Sequence, residues 1–305
     1  MAPAQSAGLP ADFLTKPSPN ITVHPIDFAQ TDLPQYAGLY ALILDNVLTA
    51  GECSTLIKAA ESTSTAGWER AMINVGGGQQ MLLTDERNCG RIIWDSRDIA
   101  SKVWKRIEHL PEVQQITKLD GVPRVFGNGP AKRGEVWRFT RPNERMRFLK
   151  YVGGEYFRPH CDGSYETPDR KERSYFTLHL YLNDTGAASD DELAKMSAKE
   201  KVQAAKSNLV GGATTFHSMN MLKQLDVLPK CGRILLFQHR DLLHSGDDVV
   251  QGVKYTMRTD LMYTLESTQS EGKSRMPVLE EPKTDARDGS EGVDAAKKAR
   301  ARFGL

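Results

Sequence analysis

The 305-residue sequence has only four cysteines, Cys53, Cys89, Cys161 and Cys231, and no two of them form a CxxC pair. A zinc ribbon and a disulfide scaffold are thereby disfavoured, and reduced thiols in a cytosolic setting are expected. The first twenty residues have no basic start followed by an apolar run, so no secretory signal is read there, and a cytoplasmic protein is expected. No apolar stretch approaches the length of a membrane span. Charge of one sign is lacking too. The 40 basic and 39 acidic residues leave a net charge of +1, so no global field draws the chain to nucleic acid or to an anionic membrane. A small-molecule or peptidyl substrate is the better expectation, and a homo-oligomer is left open.

Residues 1–35 are rich in Pro, Ala and Ser with little periodicity and read as a flexible arm. A strand is expected over 40–48. Thr49 then offers an N-cap with Glu52 at the reciprocal position of a capping box, predicting a helix with Cys53, Leu56, Ile57 and Ala60 on one face. A second helix is expected over 96–110, where Ile99, Val103, Trp104 and Ile107 recur at helical spacing before Pro111. From 136 the pattern changes to short β-prone runs at 136–140, 147–152, 175–182, 213–216, 232–237 and 253–263. This mainly β pattern, with the two helices as a layer on a sheet, predicts a sandwich or barrel spanning 36–266. The charged stretch 189–208 reads as a helical insertion, and 267–305 as a polar tail carrying a basic helix near 293–302.

The chemistry concentrates in Arg158-Pro-His160-Cys-Asp162-Gly163. Strand side chains alternate with period two, so His160 and Asp162 fall on one face and can meet a single ion. A third ligand has to come from elsewhere. The apolar run 232–237 leads to a polar loop ending in His244, completing a two-histidine, one-carboxylate set that suits ferrous iron and leaves one face of the ion open. Oxygen activation at such a metal also needs electrons, which a chelating 2-oxo acid can supply, and the far carboxylate of that acid needs a fixed cation. Lys254, Thr256 and Arg258 share one face if 253–263 is a strand, and a cation buried there requires a partner. A 2-oxoglutarate carboxylate would provide it.

Four blocks in this order resemble the prolyl 4-hydroxylase-like branch of the 2-oxoglutarate and iron(II)-dependent dioxygenases: Tyr151-x-x-Gly-x-x-Phe-x-Pro-His160-x-Asp162, Leu178-x-x-Tyr181-Leu-Asn183, Gly211-Gly-Ala-Thr-x-Phe216, and His244-x-Gly-x-x-Val-x-x-Gly-x-Lys254-Tyr255. The resemblance covers roughly 145–264. It implies a double-stranded β-helix, or jelly roll, at about 136–264, with Fe(II), 2-oxoglutarate and O2 as cofactor and cosubstrates and ascorbate as supporting reductant. It also implies oxidation of an aliphatic C–H, most simply hydroxylation, in a small molecule, amino acid or peptidyl residue such as proline, coupled to conversion of 2-oxoglutarate to succinate. The position of Lys254 in the pattern implies an anchor for the distal carboxylate.

Tyr151 is read as lining the same pocket, the alternative being a core aromatic. Arg258 lies outside the pattern; it can bind cosubstrate, grip substrate or pair with Asp260. Thr214 either faces the cosubstrate or serves the Gly211-Gly212 turn. Thr177, His179 and Tyr181 share one strand face, which makes His179 and Tyr181 pocket candidates against a plain polar strand face. His217 and His239 read as loop residues, and Arg145 and Arg147 as a solvated edge. Gly76–Gly78 reads as a loop able to close over substrate. A cupin-type metalloenzyme that does not use 2-oxoglutarate and a non-catalytic module on the same fold are the alternatives; the first has no need for Lys254, and the second predicts loss of a ligand.

Overall fold

The computed structural model describes residues 8–18, 20–76, 79–185 and 208–268. Two antiparallel sheets face each other. The larger runs in the order Thr22–Pro25, Ala41–Asp45, Ile234–Gln238, Glu172–Tyr181, Val253–Thr268, Arg145–Val152, Gly90–Asp95 and Glu69–Arg70, with Glu135–Pro142 added on Val253–Thr268 and Lys118–Asp120 on Glu135–Pro142. The smaller runs Gln224–Val227, Thr214–His217, His244–Gly246, Tyr156–His160 and Arg87–Asn88. This arrangement is the expected mainly β jelly roll.

Alternation divides the central strands of the large sheet into two faces. Phe176, Leu178 and Leu180 join Ile234 and Leu236 in one buried apolar cluster. Leu56, Ala59 and Ala60 of helix Ala50–Thr63 and Val103 and Trp104 of helix Arg97–Lys105 belong to the same cluster, so the leucine face of the sheet lies under the helices. Both helix starts follow from their caps. Thr49 Oγ1 accepts from Glu52 N at 3.2 Å while Glu52 Oε2 accepts from Thr49 N at 2.8 Å, and Ser96 Oγ accepts from Ile99 N. The second helix stops at Lys105, short of the expected 110. Pro111 instead starts a separate turn, Pro111–Gln114, where its missing N–H costs nothing.

The N-terminal segment is not an unpacked arm throughout. Thr22–Pro25 pairs with Ala41–Asp45, and Phe28, Leu33 and Tyr36 are buried with Phe216 and Phe237. Three large apolar side chains in a Pro- and Ser-rich stretch suffice to pin it to the second core, although they recur at no regular period. The insertion expected at 189–208 falls outside the described residues apart from its last position. The tail from 269, where a basic helix is expected near 293–302, lies outside them as well. Of the Gly76–Gly78 loop, only Gly76 is described, ending the strand Ile73–Gly76. Among the described residues no helix is long and apolar enough to cross a membrane.

Candidate active site

The opposite, polar face of the large sheet looks toward the small sheet, and strand register arranges it in rows. Tyr151 pairs with Lys254; Leu149 with Thr256, which also pairs with Tyr181; and Arg147 with Arg258, which also pairs with His179. Across from them in the small sheet, His160 on Tyr156–His160 pairs directly with His244 on His244–Gly246. A register shift between Phe157 and His160 marks a bulge that re-aims the end of the strand. A cavity between the sheets is lined by His160, Asp162, His244, Lys254 and Arg258.

The three candidate ligands converge, with their ligating atoms within 4.8 Å of one another. His160 Nδ1 lies 2.8 Å from the Arg158 carbonyl oxygen and His244 Nδ1 lies 3.0 Å from that of Leu242. A carbonyl only accepts, so each Nδ1 carries the proton and each Nε2 keeps its lone pair. Those two Nε2 atoms stand 3.6 and 3.8 Å from Asp162 Oδ1. Asp162 is itself held by two groups: Thr177 Oγ1 donates to Oδ2 at 2.6 Å, and Arg258 Nη1 donates to Oδ1 at 2.9 Å. Burial opposes ionisation of Asp162, but Arg258 and the two histidines outweigh it, and its carboxyl sits well below the usual range. Burial, followed by the neighbouring His160, brings His244 down to about 3, which keeps its imidazole neutral. Two imidazoles and one ionised carboxylate around a shared point form a donor set that fits Fe(II).

Lys254 lies deeper in the cavity and is 1% exposed. Its Nζ is 5.2 Å from the Tyr151 ring centroid and 5.8 Å from that of Tyr181, and no carboxylate reaches it within ion-pair distance among the described residues. Burial lowers its pKa to about 8, with Asp247 the main opposing charge. The Gly211-Gly212 turn makes room for its stem. A Cβ on Gly212, where φ is +70°, would stand 3.1 Å from both Lys254 Cδ and Val249 Cγ2. Tyr181 Oη donates to Thr214 Oγ1 at 2.7 Å, so these two candidates form a single unit. Between Lys254 and Asp162, the buried atoms His179 Nε2 and Thr256 Oγ1 have no hydrogen-bond partner. A lone cation at one end and orphaned polar atoms along the way suit a bound dicarboxylate.

Eight of the nine candidate residues therefore line one cavity, and Tyr181 joins them through its hydrogen bond to Thr214, although not all in the expected manner. Arg258 is engaged with Asp162 and, through Nη2 at 3.3 Å, with Asp260. The structure thus realises its pairing alternative and, of the two candidate anchors, leaves Lys254 without a carboxylate among the described residues. His217 is a buried strand residue rather than a loop residue, its Nε2 2.7 Å from Ser245 Oγ. His239 is likewise buried, 3.7 Å from Asp260 Oδ1. Arg147 is no solvated edge, because it pairs with Asp260 at 3.1 Å; Arg145 does pair with the exposed Asp95. Thr177, the partner of Asp162, carried no role in the sequence reading, although it shares the face of His179 two residues away. Arg87 also stands on the cavity wall.

Residues 146–259 match the family model described as the 2OG-Fe(II) oxygenase superfamily. No curated protein matches the sequence. Among solved structures, the chain is similar to a viral collagen prolyl hydroxylase from Paramecium Bursaria Chlorella virus-1, in complex with 2OG, at 17% identity and TM-score 0.44, covering 75% of this chain and 98% of the other. A prolyl-4-hydroxylase from Pseudomonas putida gives 13% identity and TM-score 0.44, covering 77% and 99%. A prolyl hydroxylase from Trichoplax adhaerens, in complex with a hypoxia inducible factor peptide fragment, gives 15% and 0.44, covering 81% and 93%. The matched segment holds every candidate ligand together with Lys254, and over residues 146–259 the chain matches the 2OG-Fe(II) oxygenase superfamily.

Proposed function

We propose that the protein hydroxylates an aliphatic C–H of a small molecule, amino acid or peptidyl residue such as proline, with His160, Asp162 and His244 holding Fe(II) and Lys254 anchoring the distal carboxylate of 2-oxoglutarate. The observation that carries this reading is the pairing of the three-ligand cluster with a buried lysine that has no carboxylate partner. When bound, the iron supplies oxidising chemistry with O2 while 2-oxoglutarate is converted to succinate and carbon dioxide. The chain's own groups bind, orient and shield. Thr177 and Arg258 hold the Asp162 carboxylate, the backbone carbonyls of Arg158 and Leu242 fix the imidazole tautomers, and the Tyr181–Thr214 unit with Tyr151 lines the cosubstrate end. His179 Nε2 is placed to meet cosubstrate or substrate. Ascorbate serves as the supporting reductant, and the setting is cytoplasmic. Purified protein given Fe(II) and O2 should convert 2-oxoglutarate to succinate even without substrate; complete inactivity with iron demonstrably bound sinks the proposal.

Lys254 predicts a pH dependence. Its charge is present below its folded pKa of about 8 and lost above it, whereas the carboxylate it grips stays ionised throughout. The KM for 2-oxoglutarate should be flat up to about pH 7 and climb above pH 8 by as much as about tenfold per unit. A KM that does not change between pH 7 and 9 removes Lys254 as the anchor. Gly212→Ala should also raise this KM, because the new methyl pushes on the Lys254 stem, and it should cost about 1–2 kcal/mol of stability for the left-handed backbone. Steady-state kinetics and a thermal melt read both effects.

A further inference from the structure

Two more cations lie on the inner side of the sheets, and the reaction described above does not use them. Arg87, 7% exposed, lines the cavity and holds its Cζ 4.5 Å from the centroid of Phe157, the ring stacked on His160 at 3.6 Å. Its Nε donates only to Cys89 Sγ, at 3.5 Å. Arg91, 8% exposed, is in register with the cavity-lining Leu149 and has only neutral partners, the Met72 carbonyl at 3.4 Å and Gln80 Oε1 at 3.3 Å. Burial lowers the pKa of Arg91, and the nearby charges of Arg87 and Arg147 lower it further. By contrast, Arg147 and Arg258 are neutralised by Asp260 and Asp162. Among the described residues no carboxylate lies within ion-pair distance of Arg87 or Arg91. Asp162 favours the charged form of Arg87 from beyond ion-pair distance, but two adjacent, mutually repelling, nearly buried guanidiniums without a paired carboxylate still favour an anion beside them.

2-Oxoglutarate cannot be that anion if one of its carboxylates is at the metal and the other at Lys254, so this inference rests on the proposed function. We infer that the molecule oxidised carries a carboxylate, received by Arg87 and Arg91 on the Phe157 side of the metal ligands. Beside Arg91 in the same strand face, the exposed Ile93 offers an apolar wall for the body of such a substrate.

The test is calorimetry on full-length protein loaded with Mn(II), an inert stand-in for iron, and 2-oxoglutarate. The probes are two matched pairs: hexanoate against hexanamide, for a free acid, and N-acetyl-Ala-Glu-Ala-amide against its Gln counterpart, for an acid on a peptide. At least one acid should bind about tenfold or more tighter than its neutral partner, as expected for a charge-assisted bidentate contact. Arg87→Gln and Arg91→Gln should each remove most of that preference while leaving 2-oxoglutarate affinity within about twofold. Arg91 sits toward the strand edge, so Arg91→Gln decides the matter if Arg87→Gln does not fold. The inference is overturned if neither acid is preferred, if the preference survives in Arg91→Gln, or if Arg87→Gln weakens 2-oxoglutarate instead. Loading precedes the probes, so failure of the wild type to take up Mn(II) and 2-oxoglutarate overturns the proposed function separately.

Discussion

Asp162→Ala is expected to abolish succinate formation, lowering turnover by about a thousandfold or more, well beyond the ten- to hundredfold typical of residues that only orient a ligand. The reason is geometric and electrostatic together. Asp162 Oδ1 is the oxygen that both imidazole Nε2 atoms face, and it is the only carboxylate in the set. Without it, two imidazoles remain, and the guanidinium of Arg258 beside them repels a cation. The fold should survive. Arg258 retains Asp260, so no buried cation is stranded, and Thr177 loses one hydrogen bond, worth about 1 kcal/mol. Anaerobic Fe(II) titration should show lost binding next to a near-normal thermal melt. Retained turnover strikes Asp162 from the ligand set.

The second large effect belongs to Lys254. Lys254→Ala should raise the KM for 2-oxoglutarate by about a hundredfold, the equivalent of roughly 3 kcal/mol for a buried charge-assisted contact. Its effect on the free protein should run the other way. A buried cation without a carboxylate is a cost to the fold, so Lys254→Met, which keeps the stem, should melt no lower than wild type and should lose cosubstrate affinity all the same. Arg258→Ala separates the two cations: it breaks pairs with both Asp162 and Asp260, so it should lower the melting temperature and weaken metal binding before it touches 2-oxoglutarate. Should Arg258→Ala raise the cosubstrate KM while Lys254→Ala does not, the anchor has been assigned to the wrong cation.

Local rules made much of this site legible. Period-two alternation put His160 with Asp162, and Lys254 with Arg258, on common faces, because successive side chains of a strand point to opposite sides whatever the fold around them. Capping chemistry placed the start of helix Ala50–Thr63 at Thr49, since the bonds involved span three residues. The packing of Phe28 and Leu33 was not visible, because irregular segments carry no period and their burial depends on which sheet edge lies beneath them.

By itself, the sequence singled out the candidate ligands, the strand faces that carry them and the cation ten positions beyond His244. Only the tertiary structure decided which charges answer one another. Arg258 could have met cosubstrate, substrate or Asp260, and its tie to Asp162 arises because a loop after Tyr156–His160 meets the inner face of Val253–Thr268 across the cavity. Among the described residues, the same crossing leaves Lys254, Arg87 and Arg91 without carboxylates at ion-pair distance. Pairing is set by distances of a few ångströms between segments about a hundred residues apart, and those distances exist only once the two sheets have closed on each other.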